Sequence, residues 1–415
     1  MSRSLLWIVC GASVAALGSG CSSPECAWGD YEEAECRVVA ENHYARALTS
    51  NGVEVRFQHP LETTSDTWHA LGLLQENQSG IVEARPAGLA DFAISVDGAA
   101  DLTLTVELEN VAPDATVTVG PEGAEVDVPA VGGTLRRTIA ITLADEETVW
   151  IRGTRPCPDR YRLVTAGDIQ TNPLQFERIV EDLHDQVAAA EAAGAPLLGF
   201  FILGDLTEST EIQEFERIRQ MLESSPIPVS VLPGNHDIFG DEAAIFSRWF
   251  GPGNYTDTVC RTKLIHLDNA SGHIAESVEA RLPQMLDPTG VDHLIPAMHI
   301  PPHEDGTSQG MRDQEQASYM LAEFARNGVD RIMAGHVHYW RENVDVRVGD
   351  RSLHQIISGT AGGNQGSGHL RFGVTRLSFG GPDDVESCFH EVPVPGTTDV
   401  DHEDVANPID FCDGP

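Results

Sequence analysis

Basic residues are scarce. The 415-residue chain holds 26 Lys and Arg against 64 Asp and Glu, a formal net charge of −38. Such a surface repels nucleic acid and anionic membranes unless cations or a local basic patch intervene, and it favours divalent cations. No Lys/Arg cluster appears, so nucleic acid is disfavoured as a partner. Beyond the first twenty residues no segment is long and apolar enough to span a membrane. The eight cysteines include no Cys-x-x-Cys pair, which argues against a thiolate metal site.

What is present begins with a leader. Arg3 followed by the apolar, small-residue run from Leu5 to Gly20 has the form of an export signal. The run ends Leu17-Gly18-Ser19-Gly20-Cys21, and small residues before a cysteine resemble the lipobox of bacterial lipoproteins. The leucine sits one position early for that pattern. Cys21 is expected to carry a lipid and hold the chain in the bacterial cell envelope, at the outer membrane or in the periplasm. Ordinary signal cleavage and secretion is the alternative. Cys26, Cys36, Cys157, Cys260, Cys388 and Cys412 then suit three disulfides in an oxidising compartment, with Cys26–Cys36 the expected local pair.

The pattern divides the chain into 1–20 (signal), 21–43 (cysteine-bearing linker), 44–155, 156–381 and an acidic tail, 382–415. In 44–155, runs such as Val53 to Phe57, Leu102 to Leu108 and Thr138 to Leu143 alternate with period two between Gly, Pro and Asp turns, which predicts an antiparallel β-sandwich. From Tyr161 apolar strands alternate with helical patterns, Phe176 to Ala193 and Gln314 to Arg326 among them. This predicts a layered α/β domain with helices flanking a sheet. The tail has no Lys or Arg and is expected to wrap the surface, tied by Cys388 and Cys412.

Polar residues follow each strand. They are Gly167-Asp168-Ile169-Gln170, Gly204-Asp205-Leu206-Thr207-Glu208, Gly234-Asn235-His236-Asp237, Met298-His299 and Gly335-His336-Val337-His338. One Asp after a strand is usually a helix cap, and one His is usually structural. Five such ends, all expected at one edge of one sheet, require another account. Carboxylate, amide oxygen and imidazole suit Mn, Fe or Zn. There are more donors than one tetrahedral ion uses, which points to two ions sharing a carboxylate. Gly359 to Asn364 is a weaker candidate for a loop near phosphate, and His266, His273, His354 and His369 read as structural or surface histidines.

Across about Tyr161 to Thr360 this ordered set resembles the calcineurin-like metallophosphoesterase superfamily. The resemblance implies Asp168 and His338 on a first metal, Asp205 bridging both, and Asn235, His299 and His336 on the second. It gives His236 the role of protonating the leaving oxygen or stabilising the transition state, and Glu208 that of the carboxylate orienting it. Gln170 stands where the family usually has His, and it is expected to ligate through oxygen or through a metal-bound water. Purple acid phosphatases carry Tyr where Glu208 sits, and protein Ser/Thr phosphatases carry Arg where Ser209 sits. The pattern is most similar to class III cyclic-nucleotide phosphodiesterases.

The implied activity is dinuclear-metal hydrolysis of a small phosphoester, diester or monoester, outside the cytoplasm, by attack of a metal-activated hydroxide. The rival expectation is a non-catalytic lipoprotein that binds through its β-sandwich, with Gln170 as an early sign of decay.

Overall fold

In the computed structural model the described residues are 34–45, 47–58, 72–129, 133–239, 245–303, 309–363, 371–381, 384–393 and 411–412. The export signal, Cys21, Cys26, Asn364, His369 and most of the acidic tail lie outside them. Cys36 is disulfide-bonded.

The region before residue 161 is β-rich, as the alternation predicts. A six-stranded sheet runs in the order Ala47–Ser50, Val53–Gln58, Phe92–Gly98, Glu147–Thr154, Thr116–Gly120, Val126–Val128. It shares one apolar core with a four-stranded sheet, Gly72–Gln78, Ile81–Pro86, Thr103–Leu108, Arg137–Thr142. In Val53–Gln58 the buried side chains are Val53, Val55 and Phe57, the alternation a half-buried strand demands. The sandwich is not wholly antiparallel, because Ile81–Pro86 and Thr103–Leu108 pair in parallel. A parallel pair needs a crossover connection, and here the chain reaches its partner through Phe92–Gly98 in the opposite sheet.

From residue 161 the domain contains two sheets, where the sequence suggested one. The first runs Val229–Val231, Leu197–Ile202, Tyr161–Ala166, Gly373–Gly381, Asp384–Glu391, its first three strands mutually parallel. The second runs Tyr255–Val259, Thr262–Leu267, His293–Met298, Arg331–Ala334, Arg351–Ser358, Trp340–Val348, with four parallel strands at its centre. Leu163, Phe201, Leu232, Leu264, Ile295, Met333 and Ile356 are buried together between the sheets. The helices Pro173–Ala192 and Ile212–Glu223 cover the outer face of the first sheet, and Gln314–Arg326 covers that of the second. Strands buried on both faces read as continuous apolar runs whichever sheet they belong to, so sequence pattern does not separate the two sheets.

Two further elements differ from expectation. The tail begins with the strand Asp384–Glu391, paired antiparallel to Gly373–Gly381. The segment expected to be a linker ends in the helix Ala34–Ala45, whose Ala34 and Val38 join the core beneath the second sheet. That helix buries Arg37 against Asp268, at 2.5 Å, and Glu41 against the Gly253 N–H, at 2.8 Å.

Candidate metal centre

Both sheets supply donors at their strand ends. Asp168, Asp205 and Asn235 follow strands Tyr161–Ala166, Leu197–Ile202 and Val229–Val231 of the first sheet. His299 follows His293–Met298, and His336 and His338 follow Arg331–Ala334, in the second. The sequence-predicted donors therefore do meet, across the seam between two sheets and not along one edge. Ligand atoms of Asp205, His299 and His336 all lie within 4.8 Å of one another, as do those of Asp168, Asp205 and His338. Asp205 belongs to both groups.

Asp168, Asp205 and His336 have φ of 62°, 53° and 69°, in the left-handed region that non-glycine residues seldom adopt. Such conformations cluster at functional sites because the surroundings over-determine them. The surroundings here are hydrogen bonds. The His336 N–H donates to Asp168 Oδ2 at 2.8 Å, and the His236 N–H to Asp205 Oδ1 at 2.9 Å. Close approach also needs glycine. A Cβ on Gly234 would lie 2.2 Å from Asp205 Oδ1. Cβ atoms on Gly359 and Gly363 would crowd Asp168 and His338, so that glycine-rich loop packs under the donors.

Around His299 the donor chemistry becomes specific. Its Nδ1–H donates to the Leu203 carbonyl at 2.7 Å, leaving Nε2 bare. Facing that nitrogen are Asn235 Oδ1 at 3.0 Å, His336 Nδ1 at 3.2 Å and Asp205 Oδ1 at 3.3 Å. Lone-pair atoms converging on one another need a cation between them or a proton on one of them. Burial alone would lower the His299 pKa, but Asp205 and Asp168 raise it, to about 9. Burial pushes Asp168 up to about 6 despite His299, with Asp205 adding to the rise. Burial, then the charge of His299, takes His336 down to about 3.

On the other side of Asp205, His338 Nε2 lies 3.4 Å from Asp168 Oδ1 and 3.1 Å from Gln170 Nε2. Asp168 Oδ1 and Gln170 Oε1 are buried with no hydrogen-bond partner in the protein. A buried oxygen left unpaired is costly, and a carboxylate and an amide oxygen beside an imidazole are what a cation would satisfy. The residues present fit a pair of metal ions.

His236 is held differently from expectation. Its Nδ1–H donates to the backbone carbonyl of Glu208 at 2.8 Å, so Glu208 fixes the ring through the main chain and not through its carboxylate. Glu208 Oε2 is buried without a partner. The His236 ring meets Phe239 edge to face, centroids 4.9 Å apart.

Two supporting residues had no role in the sequence reading. Asn269 Oδ1 accepts the N–H groups of His299 (3.1 Å) and Ile300 (3.0 Å). The Asp237 carboxylate accepts from Gly234, Leu206 and Thr207 N–H groups, tying two donor loops together. Asn269 also follows a strand end, Leu267, and that placement was the available signal. His266 proves structural: it is buried and stacked on Tyr255 with centroids 4.2 Å apart, and burial lowers its pKa to about 3.

Residues 161–340, under half of the chain, match the family model for calcineurin-like phosphoesterases. No curated protein matches significantly. Solved structures similar to the chain include a purple acid phosphatase from yellow lupin seeds, at 14% identity over 74% of this chain and 70% of that one, TM-score 0.47. A structure of PhoD is 11% identical over 74% of this chain and 85% of that one, TM-score 0.45. A dimetal phosphatase from Danio rerio is 11% identical over 55% of this chain and 98% of that one, TM-score 0.39.

Proposed function

We propose, from the premise that residues 161–340 are a calcineurin-like phosphoesterase domain and the chain a phosphoric ester hydrolase, that it cleaves small phosphoesters at the seam between its two sheets. The observation that carries this reading is the shared Asp205, whose carboxylate belongs to two donor groups at once. Asp168, Gln170, Asp205 and His338 would hold the first ion. Asp205, Asn235, His299 and His336 would hold the second, and Mn, Fe or Zn fits this donor class. When bound, such a pair supplies Lewis acidity toward a phosphoryl oxygen and toward water.

The chain's own residues do the rest. His299 and His336 are kept in ligating orientation by Leu203 and by the Asp168–His336 backbone contact. His236 gives a proton from Nε2 to the departing alcohol oxygen, its Nδ1–H anchored on the Glu208 carbonyl. The burial of Asp168 and Asp205 excludes water that would screen these charges.

We place the protein outside the cytoplasm. Disulfides Cys157–Cys260 and Cys388–Cys412 support an oxidising compartment, and the leader and Cys21 support a lipid anchor as the sole membrane contact. Mass spectrometry of Cys21 from a membrane fraction tests the anchor.

The test of function is hydrolysis of bis-p-nitrophenyl phosphate and p-nitrophenyl phosphate by metal-stripped protein reloaded with Mn, Fe or Zn, alongside a count of ions bound. Turnover abolished in Asp205→Asn, with both ions weakened, is expected. Folded protein that binds no second ion and turns over neither ester would overturn the reading in favour of a scaffold.

A further inference from the structure

A lone exposed phenylalanine on a surface needs no explanation. Phe239 is different in what it is fastened to. It is 57% exposed, yet its N–H donates to Thr210 Oγ1 at 2.9 Å, and the same hydroxyl donates to the His236 carbonyl at 2.7 Å. Thr210 itself sits at a φ of 61°, a conformation held by that pair of bonds. The ring then closes on the His236 imidazole edge to face. Phenyl and imidazole are thereby locked at two points, backbone and ring, and the open phenyl surface lies beside the group that protonates the leaving oxygen.

The charge nearby narrows what could lie there. From Leu206 to Glu216 there is no Lys or Arg, while Glu208, Glu211, Glu214 and Glu216 are acidic. Ile212, two residues after Thr210, is also exposed. A leaving group carrying phosphate or carboxylate would be repelled on this side, and an uncharged apolar one would not.

We propose that Phe239 is the specificity-determining residue on the leaving-group side, and that the substrates are phosphoesters of an uncharged alcohol bearing a flat aromatic group. This rests on the reading of His236 as the proton donor. The aromatic group stacks on the phenyl face while an oxygen from water bonds to phosphorus, the P–O bond to the alcohol breaks, and the alcohol oxygen takes the His236 proton. Aromatic pairs contribute about 0.5–1.5 kcal/mol beyond burial, so the discrimination expected is roughly three- to tenfold.

The experiment compares 2-phenylethyl, 2-cyclohexylethyl and propyl phosphates, as monoesters and as symmetric diesters, on metal-loaded full-length protein. Their leaving alcohols are of similar acidity, so chemistry alone does not rank them. Expected is a lower KM for the phenylethyl ester than for both others at similar kcat. Phe239→Leu should bring the phenylethyl and cyclohexylethyl KM values together, and Phe239→Trp should keep them apart. Equal KM values in the unaltered protein, or a preference that survives Phe239→Leu, would overturn the proposal while leaving the phosphoesterase reading intact. If no ester is hydrolysed, and none of the p-nitrophenyl esters either, the phosphoesterase reading fails and this inference fails with it.

Discussion

Asn110 pairs with Val229 through both atoms of its side-chain amide. Oδ1 accepts the Val229 N–H at 2.7 Å, and Nδ2 donates to the Val229 carbonyl at 2.9 Å. The sandwich thus imitates a neighbouring strand along the open edge of Val229–Val231, six residues before Asn235. Arg85 adds a second bond to the same carbonyl at 2.8 Å.

Removing that amide should be costly. Asn110→Ala leaves a buried N–H unpaired and puts a Cβ-bearing residue without a polar side chain at φ 59°. A loss of roughly 2–4 kcal/mol is expected in urea denaturation, one to three of them from the unpaired groups. Asn110→Gly, which relieves the backbone, should recover only the conformational part.

Asp237 is expected to matter for ion binding without touching an ion. Its two oxygens gather three backbone N–H groups from the loops that carry Asp205 and Asn235. Asp237→Ala should lower ion affinity, read by calorimetry, by tenfold or more, since outer partners of a metal site commonly change affinity about 10–100-fold. Asp205→Asn should by contrast weaken both ions, since that carboxylate belongs to both donor groups.

Glu41 should make stability fall as pH rises. Burial, then the nearby Asp268 charge, pushes its carboxyl up to about 8. The folded state therefore keeps a proton that the unfolded chain releases near pH 4.5. The stabilisation is complete below that pH and is lost progressively as pH climbs to 8, by linkage. Glu41→Gln keeps the acceptor for the Gly253 N–H and cannot ionise. The gap in unfolding free energy between the two proteins should widen in favour of the variant from pH 5 to pH 8. A gap that stays flat would show that Glu41 titrates normally.

The Cys388–Cys412 disulfide closes a 24-residue separation onto the outer strand of the first sheet. Replacing both cysteines with Ser should cost about 3.5 kcal/mol in unfolding free energy, the loop-entropy value for that length. Ion content should not change, because neither cysteine lies at the seam.

The strand ends were legible because each apolar run is followed by a polar residue of unusual type, so Asp168, Asp205, Asn235, His299, His336 and His338 could be picked before any fold was known. Which sheet each strand joins was not legible. Tyr161–Ala166 and Arg331–Ala334 look alike in sequence, since both are buried on two faces. The helix Ala34–Ala45 was read as part of a cysteine-bearing linker, and the partners that make burial of Arg37 and Glu41 tolerable, Asp268, Ser271, Gly253 and Asn254, lie over two hundred residues away. The role of Glu208 was half visible: sequence marks the residue but cannot say that its carbonyl, and not its carboxylate, receives the His236 N–H.

Because both donor groups draw on both sheets, neither sheet alone is a complete chelator. A slide of one sheet over the other would change ion–ligand distances in both donor groups, so ion escape and sheet separation would be coupled. The exchange rate of the bound ions then becomes a clock for the breathing of the whole domain. Rigidity of the seam would then count alongside the identity of each donor in how long the ions stay held.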